Sequence, residues 1–216
     1  TLEKLSDKGN GNYAYIDTIS EAKKVLVEEM SGTLVTIAKD VKIQIEFNPA
    51  AVESYRLIGY ENRALRREDF NNDRVDAGEI GAGHDVTALY EITLVDSGGE
   101  SVDPLRYRKP DAARTAASNE LGWLRLRYKQ PGSESSRLIE SALTRGQIKQ
   151  VASPRLRWSA AVAAYADLLR GGSNVGAFDW NQVRSLAASA SGDDRWGYRA
   201  GFLDLYTHPL FYGSSG

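Results

Sequence analysis

Cysteine is absent from all 216 residues, so disulfides, thiol nucleophiles, iron–sulfur clusters and thiolate zinc sites are excluded within this chain. Histidine is nearly as scarce: His84 and His208 are the only two and lie far apart, which argues against a histidine-rich catalytic metal site. Prolines number only 6, and with 42% hydrophobic and 26% charged residues the composition excludes wholesale disorder and collagen-like or mucin-like repeats. No apolar run approaches the roughly 18 residues that span a bilayer. Thr1 to Lys8 carry neither an initiating methionine nor a basic-then-apolar leader pattern and read as an internal cut in a longer chain. What these absences leave is a globular chain long enough for one large domain or two small ones.

The net charge of −2 hides a strong asymmetry. Residues 1–100 hold 11 basic and 19 acidic side chains, residues 101–160 hold 12 and 5, and residues 161–216 hold 4 and 5. An acidic first half and a basic middle can pair with each other, face solvent separately, or steer a partner.

Hydrophobic periodicity sets the expected architecture. Tyr13–Ile16 reads as a short strand after a glycine–asparagine turn, and Thr18 with Glu21 is a capping-box pattern ahead of Ala22, Val25, Leu26 and Met30 at helical spacing. From Thr33 the period becomes two: Leu34, Val35 and Ile37 lead to an expected turn at Lys39-Asp40, then Val41, Ile43, Ile45 and Phe47 alternate with polar residues. Further strands are expected over 54–60, 86–95, 121–128 and 137–143, with a long polar connection at 61–79. Strands separated by turns, with no intervening amphipathic helix, imply antiparallel pairing.

Beyond Ser153-Pro154 the pattern turns helical. Trp158, Ala161, Val162, Tyr165, Leu168 and Leu169 form a stripe ending at Gly171-Gly172, and Asp179 with Gln182 predicts a capped helix carrying Val183, Leu186, Ala187 and Ala190. Asp193 or Asp194 is the expected cap of a third helix bearing Phe202, Leu203 and Leu205, and 213–216 read as a tail.

Few residues suggest chemistry. Asp69, Asn71 and Asp73 match the opening of a calcium loop, but Arg74 stands where that loop needs glycine and Ile80 where it needs a bidentate glutamate, so a hydrogen-bonded surface loop is the better reading. Gly81-Ala82-Gly83-His84 precedes a strand, the wrong context for a phosphate-binding loop, and His84 has no legible nucleophile or orienting acid nearby. Arg125, Arg127 and Lys129 share one strand face with Arg106, Arg108 and Lys109 upstream. Without a nucleic-acid signature, that face is expected to be solvated or to pair with the acidic half. The four tryptophans sit in apolar patterns and are expected in the core, with carbohydrate stacking the lesser alternative.

The stretches Tyr55–Arg63, Glu68–Asp73 and Asp76–His84 running into Thr87–Glu91 resemble the C-terminal region of bacterial cell-envelope proteins that carry a von Willebrand factor type A domain, often classed as lipoproteins. Lys8–Asp17 within Leu2–Met30 is similar to the last strand and helix of the type A domain, and Pro154–Leu205 to the helical end of the family's C-terminal domain of unknown function. The resemblance implies an envelope location, periplasmic or outer-surface, with lipid anchoring through a preceding part. It also implies a divalent metal in the type A domain, held by an Asp-x-Ser-x-Ser motif that this chain does not contain.

The expectation is an α+β chain: a type A remnant over 1–31, an antiparallel β-sandwich over 32–152 and a small helical bundle over 153–210. Its expected role is a noncatalytic protein-interaction or scaffold region with no catalytic, cofactor or metal residue, no nucleic-acid partner, no membrane span and an unknown protein partner. Arg63, Arg66, Arg67, Arg106, Arg108, Arg125 and Arg127 are the candidate interaction surface. The alternative is an enzyme or carbohydrate-binding module using a cleft between sandwich and helices.

Overall fold

The computed structural model describes residues 16, 18–29, 35–59, 65–95, 97, 119–176 and 178–207. The expected strand at 13–15, Leu34, Arg63, Arg106, Arg108, His208 and the 213–216 tail lie outside the described residues. The chain divides into two compact units, the described parts of which are residues 16, 18–29, 35–56, 65–88, 92–95, 97 and 119–147 in one and 57–59, 89–91, 148–176 and 178–207 in the other.

The architecture is an antiparallel β region followed by a small helical bundle, with a helical element ahead of it. That leading element is helix α1, Ile19–Lys23, continued by a π-helical turn over Lys24–Glu29. The Glu21 amide donates to Thr18 Oγ1 at 3.1 Å, as the capping pattern predicts.

Strands β1 (Thr36–Phe47), β2 (Val52–Ile58), β3 (Gly78–Gly81), β4 (Leu89–Leu94), β5 (Glu120–Lys129) and β6 (Ser136–Thr144) form two sheets. One is four-stranded in the order β3-β1-β5-β6, every neighbouring pair antiparallel, and the other pairs β2 with β4. The turn expected at Lys39-Asp40 is a β-bulge inside one long strand. Pairing passes from Lys39↔Lys129 to Lys42↔Arg127, so β1 spends one more residue than β5, and Asp40 takes the left-handed conformation with φ 49°. Aspartate tolerates that conformation in a bulge as it does in a turn, which is why the two share a sequence signal.

The β core gathers at one end of the sheet. Ala51, Val52 and Leu121 are buried there, with Phe47, Leu94 and Leu143 packed against them and the Phe47 and Tyr55 rings 4.5 Å apart. Gly122 sits at the crowded point: a Cβ there would lie 2.7 Å from the Glu46 carbonyl oxygen, so only glycine lets β1 and β5 approach.

The helical unit contains α2 (Pro154–Leu169), α3 (Trp180–Ala188) and α4 (Tyr198–Asp204). Ser153 Oγ accepts from the Leu156 amide at 3.2 Å with Pro154 opening α2, and Asp179 and Gln182 form the full reciprocal capping box of α3. Ala161, Val183, Ala187 and Tyr206 are buried among Trp158, Tyr165, Trp180, Phe202 and other side chains. Their rings meet edge to face, with Tyr165 centred 5.1 Å from Phe202 and 5.2 Å from Tyr206. Burial pushes the Tyr206 hydroxyl up to about 12, with the neighbouring Tyr165 adding to it.

Three helical expectations are corrected. Val162, Leu169 and Leu205 are exposed, because Trp158, Ala161, Tyr165 and Leu168 suffice for the α2 face and Tyr206 fills the place assigned to Leu205. The residue preceding α4 is Gly197, with φ 74°, and Asp194 acts from further back: its carboxylate accepts from the Ala200 amide at 2.8 Å. Burial works to raise the Asp194 carboxyl, but the amides of Ala200, Arg199 and Tyr198 outweigh it and hold the group below its ordinary value.

Two substitutions test this account. Asp179→Ala is expected to cost about 1 kcal/mol, read in a urea titration followed by far-UV circular dichroism. Gly122→Ala is expected to cost about 1–3 kcal/mol by overpacking, and an unchanged urea midpoint for it would contradict the close approach of β1 and β5.

Candidate functional site

The stretch that looks most like a site in sequence, 67–77, folds onto the basic face of the four-stranded sheet. A 3-10 turn over Arg67–Asn71 drives Phe70 into that face, where it is 2% exposed. The guanidinium carbons of Arg125 and Arg127 stand over its ring at 5.2 and 5.7 Å. Strand alternation puts both arginines, Lys129 and the cross-strand neighbour Lys42 on this one face.

The cations then take up the loop's oxygens. Lys42 is 3% exposed, and its Nζ donates to the carbonyls of Asp69, at 3.3 Å, and Asn72. Lys129 Nζ lies 2.7 Å from Asp40 Oδ2 and donates to the Asp73 carbonyl at 2.8 Å. Arg127 donates through Nη2 to Asn71 Oδ1 at 3.1 Å and through Nη1 to Ser136 Oγ at 2.7 Å. The Ser136 hydroxyl in turn donates to Asp73 Oδ1 at 2.6 Å, and the Ala77 amide to Asp40 Oδ1 at 3.2 Å. The two amines and the Arg127 terminal nitrogens are thus paired, as burial of charge favours, while Arg127 Nε is buried without a hydrogen-bond partner.

The electrostatics follow from these contacts. Ser136 hydrogen bonding, against some burial, holds the Asp73 carboxyl below its ordinary value. Burial opposes the same shift at Asp40, but Lys129 and the Ala77 amide prevail and lower it. Asp76 goes the other way: burial first, then the neighbouring Asp40 carboxylate, raise it. Asp40 raises Lys129 in return.

This geometry answers the calcium question. Of the calcium-loop candidates, Asn71 Oδ1 accepts from Arg127 and Asp73 Oδ1 from Ser136, and the carbonyls of Asp69, Asn72 and Asp73 accept from Lys42 and Lys129. Among the described residues no group of three or more histidine, cysteine, aspartate or glutamate side chains is placed to hold a metal ion. His84 is exposed in the loop after β3. No helix of the described residues is long and apolar enough to cross a membrane.

Of the seven arginines singled out in the sequence, Arg125 and Arg127 come together over Phe70, while Arg66 and Arg67 are exposed at the head of the turn. Arg125 Nε is also 3.0 Å from Glu140 Oε1. Trp123, expected in the core, is 39% exposed, with its indole N–H donating to the same carboxylate oxygen at 3.3 Å. Sequence reasoning missed Phe70, Lys42, Asp40 and Ser136. One signal pointed to the first of them: Phe70 is the lone aromatic between Arg63 and Glu79, and a large aromatic ring in a charged stretch needs somewhere to go.

Phe70→Ala is expected to cost about 3–5 kcal/mol, measured by urea denaturation, since it removes the plug and leaves the arginines facing a void. The pH dependence has two signs. Asp73 and Asp40, both lowered, stabilise above the ordinary carboxylate range, and that contribution is lost as pH falls through their lowered values. Asp76, raised, disfavours the fold once pH rises through its own value. Asp73→Asn is therefore expected to lower the melting temperature at pH 7, with the difference closing in strong acid, whereas Asp76→Asn raises it at pH 7.

Comparison with known proteins places the chain. Residues 32–209 match the family described as "Uncharacterized protein YfbK, C-terminal". The chain is 50% identical over 206 residues to the protein named "Uncharacterized protein YfbK" of Escherichia coli strain K12, a match covering 94% of this chain and 35% of that relative. It thus spans about a third of the length of the curated relative it matches. No solved structure matches. With 32–209 covered by the family and half of the aligned positions identical to that relative, the chain belongs to the YfbK C-terminal family.

Proposed function

We propose that this chain is a noncatalytic scaffold and protein-interaction region of a bacterial envelope protein, carrying a metal-dependent type A domain in its preceding part. The observation that supports this reading is the use made of the most site-like stretch: the oxygens of Asp69, Asn71, Asn72 and Asp73 serve the chain's own Lys42, Arg127 and Lys129. A loop whose polar groups are consumed in holding it down is built for rigidity, not for turnover.

In this reading residues 1–31 are the end of the type A domain, 32–152 the β-sandwich and 153–210 the helical subdomain. The family match beginning at residue 32 and the 35% coverage of the E. coli relative support a further domain ahead. So does α1 with its π-helical extension, which leaves Ile19 79%, Leu26 56% and Val27 60% exposed, apolar side chains that a preceding sheet would cover. The envelope location, lipid anchoring and the metal rest on the resemblance to type A envelope proteins. Of the proposed partner surface Arg66, Arg67, Arg125 and Arg127 lie among the described residues; Arg66 and Arg67 are exposed, whereas Arg125 and Arg127 stand over Phe70. One observation favours the carbohydrate-binding reading: Trp123, at 39% exposure, lies beside Glu140 and Arg125.

The test compares full-length protein with this chain in pull-downs from envelope extract, in calcium or magnesium and again in chelator, with mass spectrometry of what is retained. A partner held only by the full-length protein with metal supports a supporting role for this chain. Saturable metal binding by this chain alone in calorimetry overturns the assignment of the metal to the preceding part, and quenching of Trp123 fluorescence by oligosaccharides favours the carbohydrate reading.

A further inference from the structure

The open edge of the four-stranded sheet carries an inference that is independent of the reading above. Strand β6 is the last in the order β3-β1-β5-β6, so among the described residues its outer side has no strand beside it. All five residues from Arg137 to Ser141 are exposed. Sheet edges are ordinarily blunted by proline, charged side chains, a bulge or shortness. Of these only charge is present, as Arg137 and Glu140, the latter held by Arg125: Ser136–Thr144 is nine residues long with no proline, glycine or lysine, and the irregularity in its pairing with β5 falls at the far end, between Glu120 and Gly122.

Two large apolar side chains stand at the middle of this exposed edge. Leu138 is 38% and Ile139 51% exposed. Ile139 ends a cross-strand row, since Ile43 pairs with Leu126 and Leu126 with Ile139, and Ile43 at the other end is itself 38% exposed. A row of apolar side chains that stops at an unpaired backbone edge is half of an interface.

We propose that β6 pairs antiparallel with β6 of a second copy about a two-fold axis through Ile139, joining two four-stranded sheets into one. A two-fold axis perpendicular to the sheet keeps like faces together and sets residues opposite each other symmetrically about its centre. With Ile139 opposite Ile139, the row of Ile43, Leu126 and Ile139 continues into its own copy. Arg137 then stands opposite Ser141 and Leu138 opposite Glu140, so no like charges face each other directly. Each Glu140 keeps its own neutralising partner, Arg125 Nε at 3.0 Å. A strand from an unrelated protein could use the same edge, but it would not inherit the matched row, which favours a second copy.

The absence of cysteine makes the register testable. The 216-residue chain is followed by sedimentation velocity from low micromolar to several hundred micromolar, as wild type and as Ile139→Lys, with circular dichroism confirming the fold of the variant. A wild-type monomer–dimer equilibrium is expected, with the dissociation constant raised at least about tenfold by placing two lysines opposite each other. Independently, Ile139→Cys is expected to give a disulfide-linked dimer on mild oxidation, because opposed Cα atoms about 4.5–5.5 Å apart suit a disulfide. Ser133→Cys, in the loop before β6, is expected to crosslink far more slowly. A wild-type chain monomeric across the whole range, an Ile139→Lys variant that dimerises as well as wild type, or equal crosslinking of the two cysteine variants would each overturn the proposal.

Discussion

Phe70 buried beneath two guanidinium groups is the contact on which the β unit turns. Once that ring leaves water, the acidic stretch around it must lie flat on the sheet, and its carbonyls and carboxylates come within reach of Lys42, Arg127 and Lys129. The bulge at Asp40 belongs to the same arrangement. It is what lets a carboxylate on β1 meet Lys129 on β5 and the Ala77 amide at the approach to β3. A plug, a bulge and a set of buried cations therefore tie β1, β3, β5 and the 67–77 loop into one rigid piece.

The opposite face of the same sheet has a different logic. There Ile43, Leu126 and Ile139 run across three strands, and among the described residues the end near Phe47 and Leu143 packs with Val52 and Leu94 of the second sheet. One face spends its charges internally and the other leaves apolar side chains partly open.

Legibility in the sequence followed locality. The capping box of α3, the Ser153-Pro154 start of α2 and its Gly171-Gly172 end were readable because each is a contact between residues a few positions apart. The alternation of β1 and β5 was readable for the same reason. The error at Lys39-Asp40 came from a signal that turns and bulges share, and the error at Trp123 from assuming that alternation alone says which face is covered. Cover is a property of what lies opposite, and no periodicity encodes it.

The sequence by itself determined the order of strands before helices, the starts of α2 and α3, the absence of thiol and histidine-rich metal chemistry, and membership in a recognisable family. It also determined that an acidic half and a basic middle exist in one chain. Only the tertiary structure decided that the two meet, because the contacts that join them span long separations: Lys129 reaches Asp40 and Arg127 reaches Asn71. Such pairings depend on which strands lie side by side, and the antiparallel register of β1 with β5 brings Lys42 beside Arg127, giving the loop a basic face on which to close.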